Sequence, residues 1–248
     1  MSRKQTKTRR SVALSDVLPR TLPDLLNPFS RIGLGYDIAT TTKAKSNPSS
    51  LTLLEEVGVN YIARLVLRWK TADPAVARAI ITAVLMLIAP RRPVRLVIDA
   101  SNEKYYATDL RKALRALVTC DLVSSGESIT YLGETMSYKQ YLGNLAINML
   151  EAGHLWLPNE DWLSADWRLV NRSDGTFVTE LGKNGEHGDT FDSTKLALHG
   201  LVSPSSGPAE AAAAQVGNYG TTGRAAIASQ FKNPAARQLL KERNHVNV

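Results

Sequence analysis

Four aspartates and one histidine stand where side chains of their type do chemistry. Asp37 closes the run GLGYDIA, and Asp99 closes LVIDAS. In GEHGDTFDSTKLALHG, residues 185–200, His187 is followed by Asp189 and Asp192 and then by an apolar run that can form a helix. Two readings compete for that last stretch. Aspartate is a good helix N-cap, and an acid in the first turn suits the helix dipole. The other reading needs acids from other segments. Carboxylates brought together from distant strands form a hard, all-oxygen site that takes Mg²⁺ or Mn²⁺ along with water and phosphate. Two such ions a few ångströms apart activate a water and stabilise the leaving oxygen of a phosphodiester. Taken singly, each residue has an ordinary role: a solvated strand end for Asp37 and Asp99, a cap for Asp189 or Asp192, a surface position for His187.

The metal reading depends on the elements that carry the acids. RIGLGYDIATT, SSLTLLEEVG and NYIARLVLRWK, between residues 31 and 70, have the β-branched, alternating character of strands and suggest an antiparallel meander. DPAVARAIITAVLMLIA follows, with Asp73 as a cap, Pro74 at the first helical position, and Val76, Ala79, Ile80, Ala83, Val84 and Leu87 at helical spacing. RPVRLVIDAS is a fourth strand ending at Asp99, which points an acid into a crevice. NEKYYATDLRKALRAL is a helix with Leu110, Ala113, Leu114 and Leu117 on one face, and VTCDLVSS is a fifth strand. YKQYLGNLAINMLEAGHLWLP reads as a helix that stops near Gly153 and becomes extended, and DWRLVNRSDGTFVTEL as a hairpin around Ser173, Asp174 and Gly175. The last helix follows. The order predicts an α/β, ribonuclease-H-like mixed sheet of five strands flanked by helices, with a small hairpin and extended terminal arms. In that sheet the first and fourth strands are neighbours, so Asp37 and Asp99 meet at one edge, and the last helix can bring Asp189 or Asp192 to them.

Three regions are expected: a basic arm over 1–30, a nuclease-like body over 31–202, and a flexible Gly/Ala/Ser/Pro-rich tail over 203–248. The chain has 248 residues, 44% of them hydrophobic, which supports a sizeable core and rules out a wholly disordered chain. Its net charge of +7 points to a polyanionic partner, nucleic acid first and an anionic membrane surface second. The lone Cys120 excludes an internal disulfide and a thiolate zinc site from this chain alone. The basic start MSRKQTKTRR has no apolar h-region after it, and the longest apolar run, residues 75–89, contains Arg78 and is too short to span a bilayer. A soluble intracellular protein is expected.

At GLGYDIA, LVIDAS, YKQYLGNLAINMLEAGHLWLP and HGDTFDSTKLAL, taken in order from about residue 31 to 202, the chain resembles the nuclease domain of phage large terminases. The resemblance implies a ribonuclease-H-like fold, two divalent ions (Mg²⁺ or Mn²⁺), and endonuclease cleavage of concatemeric viral double-stranded DNA during packaging in the host cytoplasm. It carries the metal role onto Asp37, Asp99 and Asp189, with Asp192 a near competitor and His187 a group that orients water or a ligand. It also implies a separate ATPase subunit, a small terminase and a portal protein as partners. The sequence departs from the pattern in two ways: Gly188 stands where the family often has an acid, and GxxxxGK[ST] is absent. Either the ATPase is a separate polypeptide or this chain is a portion of a longer one. Lys43 and Lys45, in TTTKAKSNPSS just after the first acid, are candidate DNA contacts through phosphate, or else residues of a solvated turn. Rival readings are a Holliday-junction resolvase or transposase-like nuclease of the same fold, and a non-catalytic DNA-binding protein of virion assembly.

Overall fold

Glycine and serine at the centre of an otherwise apolar sheet decide how this molecule packs. The computed structural model describes residues 21–40, 47–88, 94–131, 133–173, 176–182 and 187–203. Strands β1 (Ile32–Asp37), β2 (Ser49–Val57) and β3 (Asn60–Trp69) form the antiparallel meander, with Gly58 at φ +62° in the tight β2–β3 turn. Helix α1 (Pro74–Ile88) starts where the Asp73 carboxylate accepts from the N–H of Ala75, at 2.8 Å. The chain then returns as β4 (Val94–Asp99), which pairs in parallel with β1 on its far side. Helix α2 (Lys104–Leu114) leads to β5 (Thr119–Val123), parallel to β4.

The second half covers the opposite face. A hairpin of β6 (Ser128–Tyr131) and β7 (Glu134–Ser137) runs into α3 (Tyr138–Glu151), capped by Ser137 and stopped before Gly153, whose φ is +74°. β8 (Leu155–Trp156) pairs in parallel with β3, and α4 (Asp161–Trp167) precedes a hairpin of β9 (Val170–Ser173) and β10 (Thr176–Thr179). Helix α5 (Asp189–Val202) closes the described fold. The sheet order is β5-β4-β1-β2-β3-β8, a mixed sheet with one strand more than the five expected. The extra strand is two residues of the LWLP stretch, too short to show any alternation. The β6–β7 hairpin and α4 also went unread, because neither is long enough to establish a period.

One core layer lies between the sheet and α1 and α2, with Leu34, Tyr36, Leu51, Leu96 and Ile98 buried from the strands. The apolar face of α1 is rotated from expectation: Ala77, Ile81, Val84, Leu85 and Ile88 are buried, while Val76 is exposed. Almost every position of this helix is apolar, so its sequence supports more than one stripe. On α2 the buried residues are Ala107, Leu110 and Leu114, and Ala113 is exposed. Part of the segment read as an arm joins this layer, since Leu22 and Leu26 are buried in it and Glu55 accepts hydrogen bonds from the Asn27 N–H and the Ser30 hydroxyl. The tail beyond residue 203 lies outside the described residues. Among the described residues no helix is long and apolar enough to cross a membrane.

The other layer is built on α5, in which every residue except Asp192 and Val202 is buried. Strand residues i and i+2 share a face, and on the α5 side β1 presents Gly33 and then Gly35. A Cβ built on Gly33 would lie 2.2 Å from the carbonyl oxygen of Ala197, and one on Gly35 would lie 1.9 Å from that of Ser193. The helix backbone therefore rests directly on the strand, closer than any side chain permits. Next to it β2 presents Ser50 and Thr52. Their hydroxyls meet the Ser193 hydroxyl at 2.8 Å each, and Thr52 also meets Thr194 at 3.2 Å. Small residues with internal hydrogen-bond partners fill this seam, so close approach leaves no buried polar group unsatisfied there.

This contact predicts the most damaging conservative change in the chain. Gly35→Ala places its methyl against a main-chain carbonyl that no rotamer change can move, so a loss of about 3 kcal/mol or more is expected, at or beyond the upper end for overpacking. Gly126→Ala, where an added Cβ meets nothing within 4 Å, serves as the control and should alter stability by less than about 0.5 kcal/mol. Urea denaturation of the two variants measures both. Equal stability would mean that α5 does not sit in the β1 groove.

Candidate active site

The glycine contact sets the level at which α5 meets the end of the sheet. Gly33 faces Ala197 and Leu201, and Gly35 faces Ser193 and Ala197, so two strand residues correspond to four helix residues. The geometry agrees: two residues of strand advance about 6.6 Å, and four residues of helix advance about 6.0 Å. One step further, Asp37 shares the face of Gly33 and Gly35 and lies level with the first turn of α5, which holds Asp189 and Asp192. β4 adds the next acid. Its register with β1 runs from Ile32–Val94 to Tyr36–Ile98, so Asp37 and Asp99 follow side by side at the ends of parallel neighbours. The same row continues outward, as Asp37 pairs with Ser50 and Ser50 with Arg68.

Each carboxylate has a distinct setting. Asp37 keeps some solvent contact but lies in the densest part of this edge. Burial holds its carboxyl well above the usual range, and the charges of Asp192, Asp99 and Asp189 push it the same way, while Lys195 acts against them. Asp99 accepts from the N–H of Ser101 at 2.8 Å and from the Ser101 hydroxyl, and more distantly from the Ser125 hydroxyl at 3.4 Å. Asp192 is ion-paired with Lys195, one helical turn on. Asp189 is 1% exposed, and its Oδ2 has no hydrogen-bond partner among the described residues. An unmet buried oxygen of this kind costs about 1–3 kcal/mol.

The capping reading of Asp189 is overturned. The N-cap position belongs to Gly188 in the left-handed region at φ +72°, where an added Cβ would lie 2.4 Å from the Val170 side chain. Asp189 is the first helical residue and makes no capping hydrogen bond. The cap comes from another helix: Asp166 of α4, itself 1% exposed, accepts from the Thr190 N–H at 2.9 Å and from the Thr190 hydroxyl. The departure at Gly188 is therefore a backbone requirement, and the Asp189 carboxylate is left free of the helix end it was expected to serve. His187 sits in the loop before α5. Its backbone N–H favours the charged form of Asp189, and its ring makes no hydrogen bond among the described residues. Lys43 and Lys45 lie outside the described residues.

Three charged residues of this edge escaped the sequence reading. Lys195 is 3% exposed, held between Asp192 and the face of Phe191, with its Nζ 5.7 Å from the ring centre. The signal was its place three residues after Asp192 in a predicted helix, a spacing that pairs an acid with a base. Asp166 and Arg68 carried no signal, because one lies in a short helix and the other at the polar end of a long strand.

Among the described residues no three His, Cys, Asp or Glu side chains converge to metal-ligand spacing. The acids share one field without forming a closed shell: Asp192 is drawn to Lys195 and Asp99 to its serines. The donor chemistry nonetheless fits a hard divalent cation. All the donors are carboxylate oxygens, one of them is buried without a partner, and each acid at the centre of the group raises the proton affinity of the next.

No family model matches the chain, and no curated protein matches it. Solved structures do. The large terminase nuclease from thermophilic phage G20c aligns with a TM-score of 0.52 at 17% identity, over 69% of this chain and 83% of its own. The large terminase of a second thermophilic bacteriophage aligns at 0.47 and 9% identity, over 75% of this chain and 44% of its own, so this chain spans less than half of that protein. The human cytomegalovirus terminase nuclease domain, Mn soaked and inhibitor bound, aligns at 0.45 and 11% identity, over 73% of this chain and 87% of its own. The likeness to the G20c nuclease shows the fold, the ribonuclease-H-like fold of large-terminase nucleases.

The setting of Asp189 predicts a pH-dependent gain on neutralising it. Burial, then Asp166, then Asp192 push its carboxyl from 3.8 up to about 7. A carboxyl raised in the folded state ionises at the expense of the fold, so this penalty is absent near pH 4, grows as pH rises, and is complete above about pH 7. Asp189→Asn should therefore be more stable than the parent by about 2–4 kcal/mol at pH 8 without divalent metal, with the gap closing by pH 4. Thermal melts at the two pH values check this. A gap that is equal at both would show that Asp189 ionises without penalty.

Proposed function

We propose that this chain is the nuclease of a viral terminase, a divalent-metal-dependent endodeoxyribonuclease that cuts concatemeric double-stranded DNA during genome packaging. The observation that carries the reading is the concentration of four aspartates from three distant segments at one edge of the sheet. Their mutual repulsion raises the proton affinity of Asp37 beyond what burial alone does. A protein that only bound DNA would gain nothing from acids turned toward phosphate. Asp37, Asp99 and Asp189 would hold Mg²⁺ or Mn²⁺, with two ions expected, and Asp192 would be a fourth ligand or an outer group. Ions held there would supply polarisation of a water and neutralisation of charge on the leaving oxygen.

The chain's own residues prepare that site in three ways. The strand ends supply Asp37 and Asp99 from neighbouring, rigidly paired strands, and Ser101 and Ser125 aim the Asp99 carboxylate. Asp166 caps α5, so its first turn is fixed and Asp189 keeps an oxygen without a partner among the described residues. Lys195 offsets part of the negative charge through Asp192, which lets the acids fold together before any ion arrives. His187, next to the first turn, would orient water or a ligand. Lys43 and Lys45 are proposed phosphate contacts. An ATPase subunit, a small terminase and a portal protein are the proposed partners.

Plasmid nicking in Mn²⁺ tests the reading. The parent should convert supercoiled plasmid to nicked and linear forms and lose this in EDTA. Asp37→Ala and Asp99→Ala should each lose more than about 100-fold, beyond the 10–100-fold typical of outer-sphere changes at metal sites, while melting no lower than the parent without metal. Full activity in either variant removes that residue from the site. Strong preference for a four-way junction over linear duplex would favour the resolvase reading instead.

A further inference from the structure

The row of residues that ends β4, β1, β2 and β3 on the α5 side reads Asp99, Asp37, Ser50 and Arg68. Arg68 therefore lies two strands from Asp37, on the order of 10 Å away at 4.7–4.9 Å per strand. Its side chain is 23% exposed, and its one hydrogen bond among the described residues runs from Nη1 to Asp166 Oδ1 at 3.4 Å. That bond is long for a charge-assisted contact, which is normally about 2.7–2.9 Å. The other oxygen of Asp166 is committed to the N–H and hydroxyl of Thr190. Asp166 is thus satisfied chiefly by the helix it caps and holds Arg68 only loosely. The guanidinium is also oriented by Trp162, whose ring centre lies 4.6 Å from Cζ. A guanidinium has five N–H donors in a planar fork. The contact with the ring restrains the head group, and among the described residues most of its donors are unused.

We propose that Arg68 binds a backbone phosphate of the DNA strand being cut, at a position displaced from the scissile bond. This rests on the nuclease reading above and extends it to the path of the substrate. Bidentate pairing of the fork with phosphate oxygens is the favoured chemistry of a stacked arginine. A separation of about 10 Å from Asp37 puts the contacted phosphate no more than about three nucleotides from the scissile one, since 3.4 Å is the axial rise and phosphates on one strand lie further apart than that. The strand would lie along the end of the sheet, across the first turn of α5, with its scissile phosphate at the acids and a neighbouring phosphate on Arg68. Ser50 itself is buried and bonded to Ser193, so between the two anchors the strand would meet the first turn of α5, which carries Asp189.

Two substitutions separate this role from a structural one. Arg68→Gln keeps an N–H donor for Asp166 and removes the charge, and Arg68→Lys keeps the charge but replaces the fork with a single ammonium. Each is made in an Asp37→Asn background that does not cut, and binding to a fluorescein-labelled DNA duplex is followed by anisotropy in EDTA across a salt series. The Arg68→Gln protein should bind more weakly, with the slope of log affinity against log salt shallower by about 0.9, the value of one phosphate contact. Arg68→Lys should restore the slope. A lower melting temperature with an unchanged slope would make Arg68 a partner of Asp166 only and overturn the proposal. If the otherwise wild-type chain cuts plasmid in Mn²⁺ and the slopes are equal, this inference falls alone. If the Asp37→Asn parent does not bind duplex and the otherwise wild-type chain does not cut, the nuclease reading falls with it.

Discussion

Everything at the acidic edge depends on how close the backbone of α5 comes to β1. A helix normally rests on a sheet through side chains, and its height and phase then drift with whatever packs between them. Here Gly33 and Gly35 remove the spacer, and the carbonyl oxygens of Ser193 and Ala197 fill the groove. The helix cannot slide along the strand or roll about its axis without driving a carbonyl into main chain. The position of its first turn relative to Asp37 is thus set by backbone geometry, which is stiffer than side-chain packing. A site assembled from strands and a helix needs that stiffness, because a small displacement between ligands is enough to spoil it.

Legibility in the sequence followed the length of each signal. Long apolar strands and the helices between them gave the strand order, and Asp37 and Asp99 were visible as acids at the ends of such strands. The same glycines that fix α5 were visible only as part of GLGYDIA, because their role depends on what lies across from them. The rotated face of α1 shows the converse: Val76 and Ala77 are both apolar, and only burial in the layer shared with the strands selects Ala77. Asp166 was out of reach. It acts through a hydrogen bond to Thr190, 24 residues away, from a helix of a single short segment.

The charges at this edge divide the labour among fold, cap and chemistry. Asp166 is spent on the start of α5, Lys195 is spent on Asp192, and Arg68 is held loosely between a carboxylate and a tryptophan ring. Of these only Arg68 favours the charged form of Asp189, and it is the smallest of the influences on that carboxyl. A cluster of four acids with one buried lysine is short of positive charge, and the shortage falls on Asp37 and Asp189, the two acids whose carboxyls are pushed upward. Burial is the larger cause at both, so the fold itself, more than the neighbouring charges, makes these two carboxyls harder to ionise than they are in solution.

The hydroxyl seam beside the glycines completes the argument. Valine or alanine at Ser50 and Thr52 would suit a buried strand, and threonine is no isostere of valine where its hydroxyl is bonded. The hydroxyls of Ser50 and Thr52 converge on Ser193, and Ser193 and Thr194 in turn donate to the carbonyl of Thr190 in the first turn of α5. That carbonyl belongs to the residue whose N–H is capped by Asp166. A continuous set of hydrogen bonds therefore runs from the middle of β2, through Ser193, to the start of α5 and on to α4. It ties the turn that carries Asp189 to the strand that pairs with β1 at Asp37. Glycine contact sets the distance between helix and sheet, and the hydroxyl chain sets the rotation of the first turn. Together they hold acids that repel one another at one edge, although none of those acids takes part in the contacts that hold them.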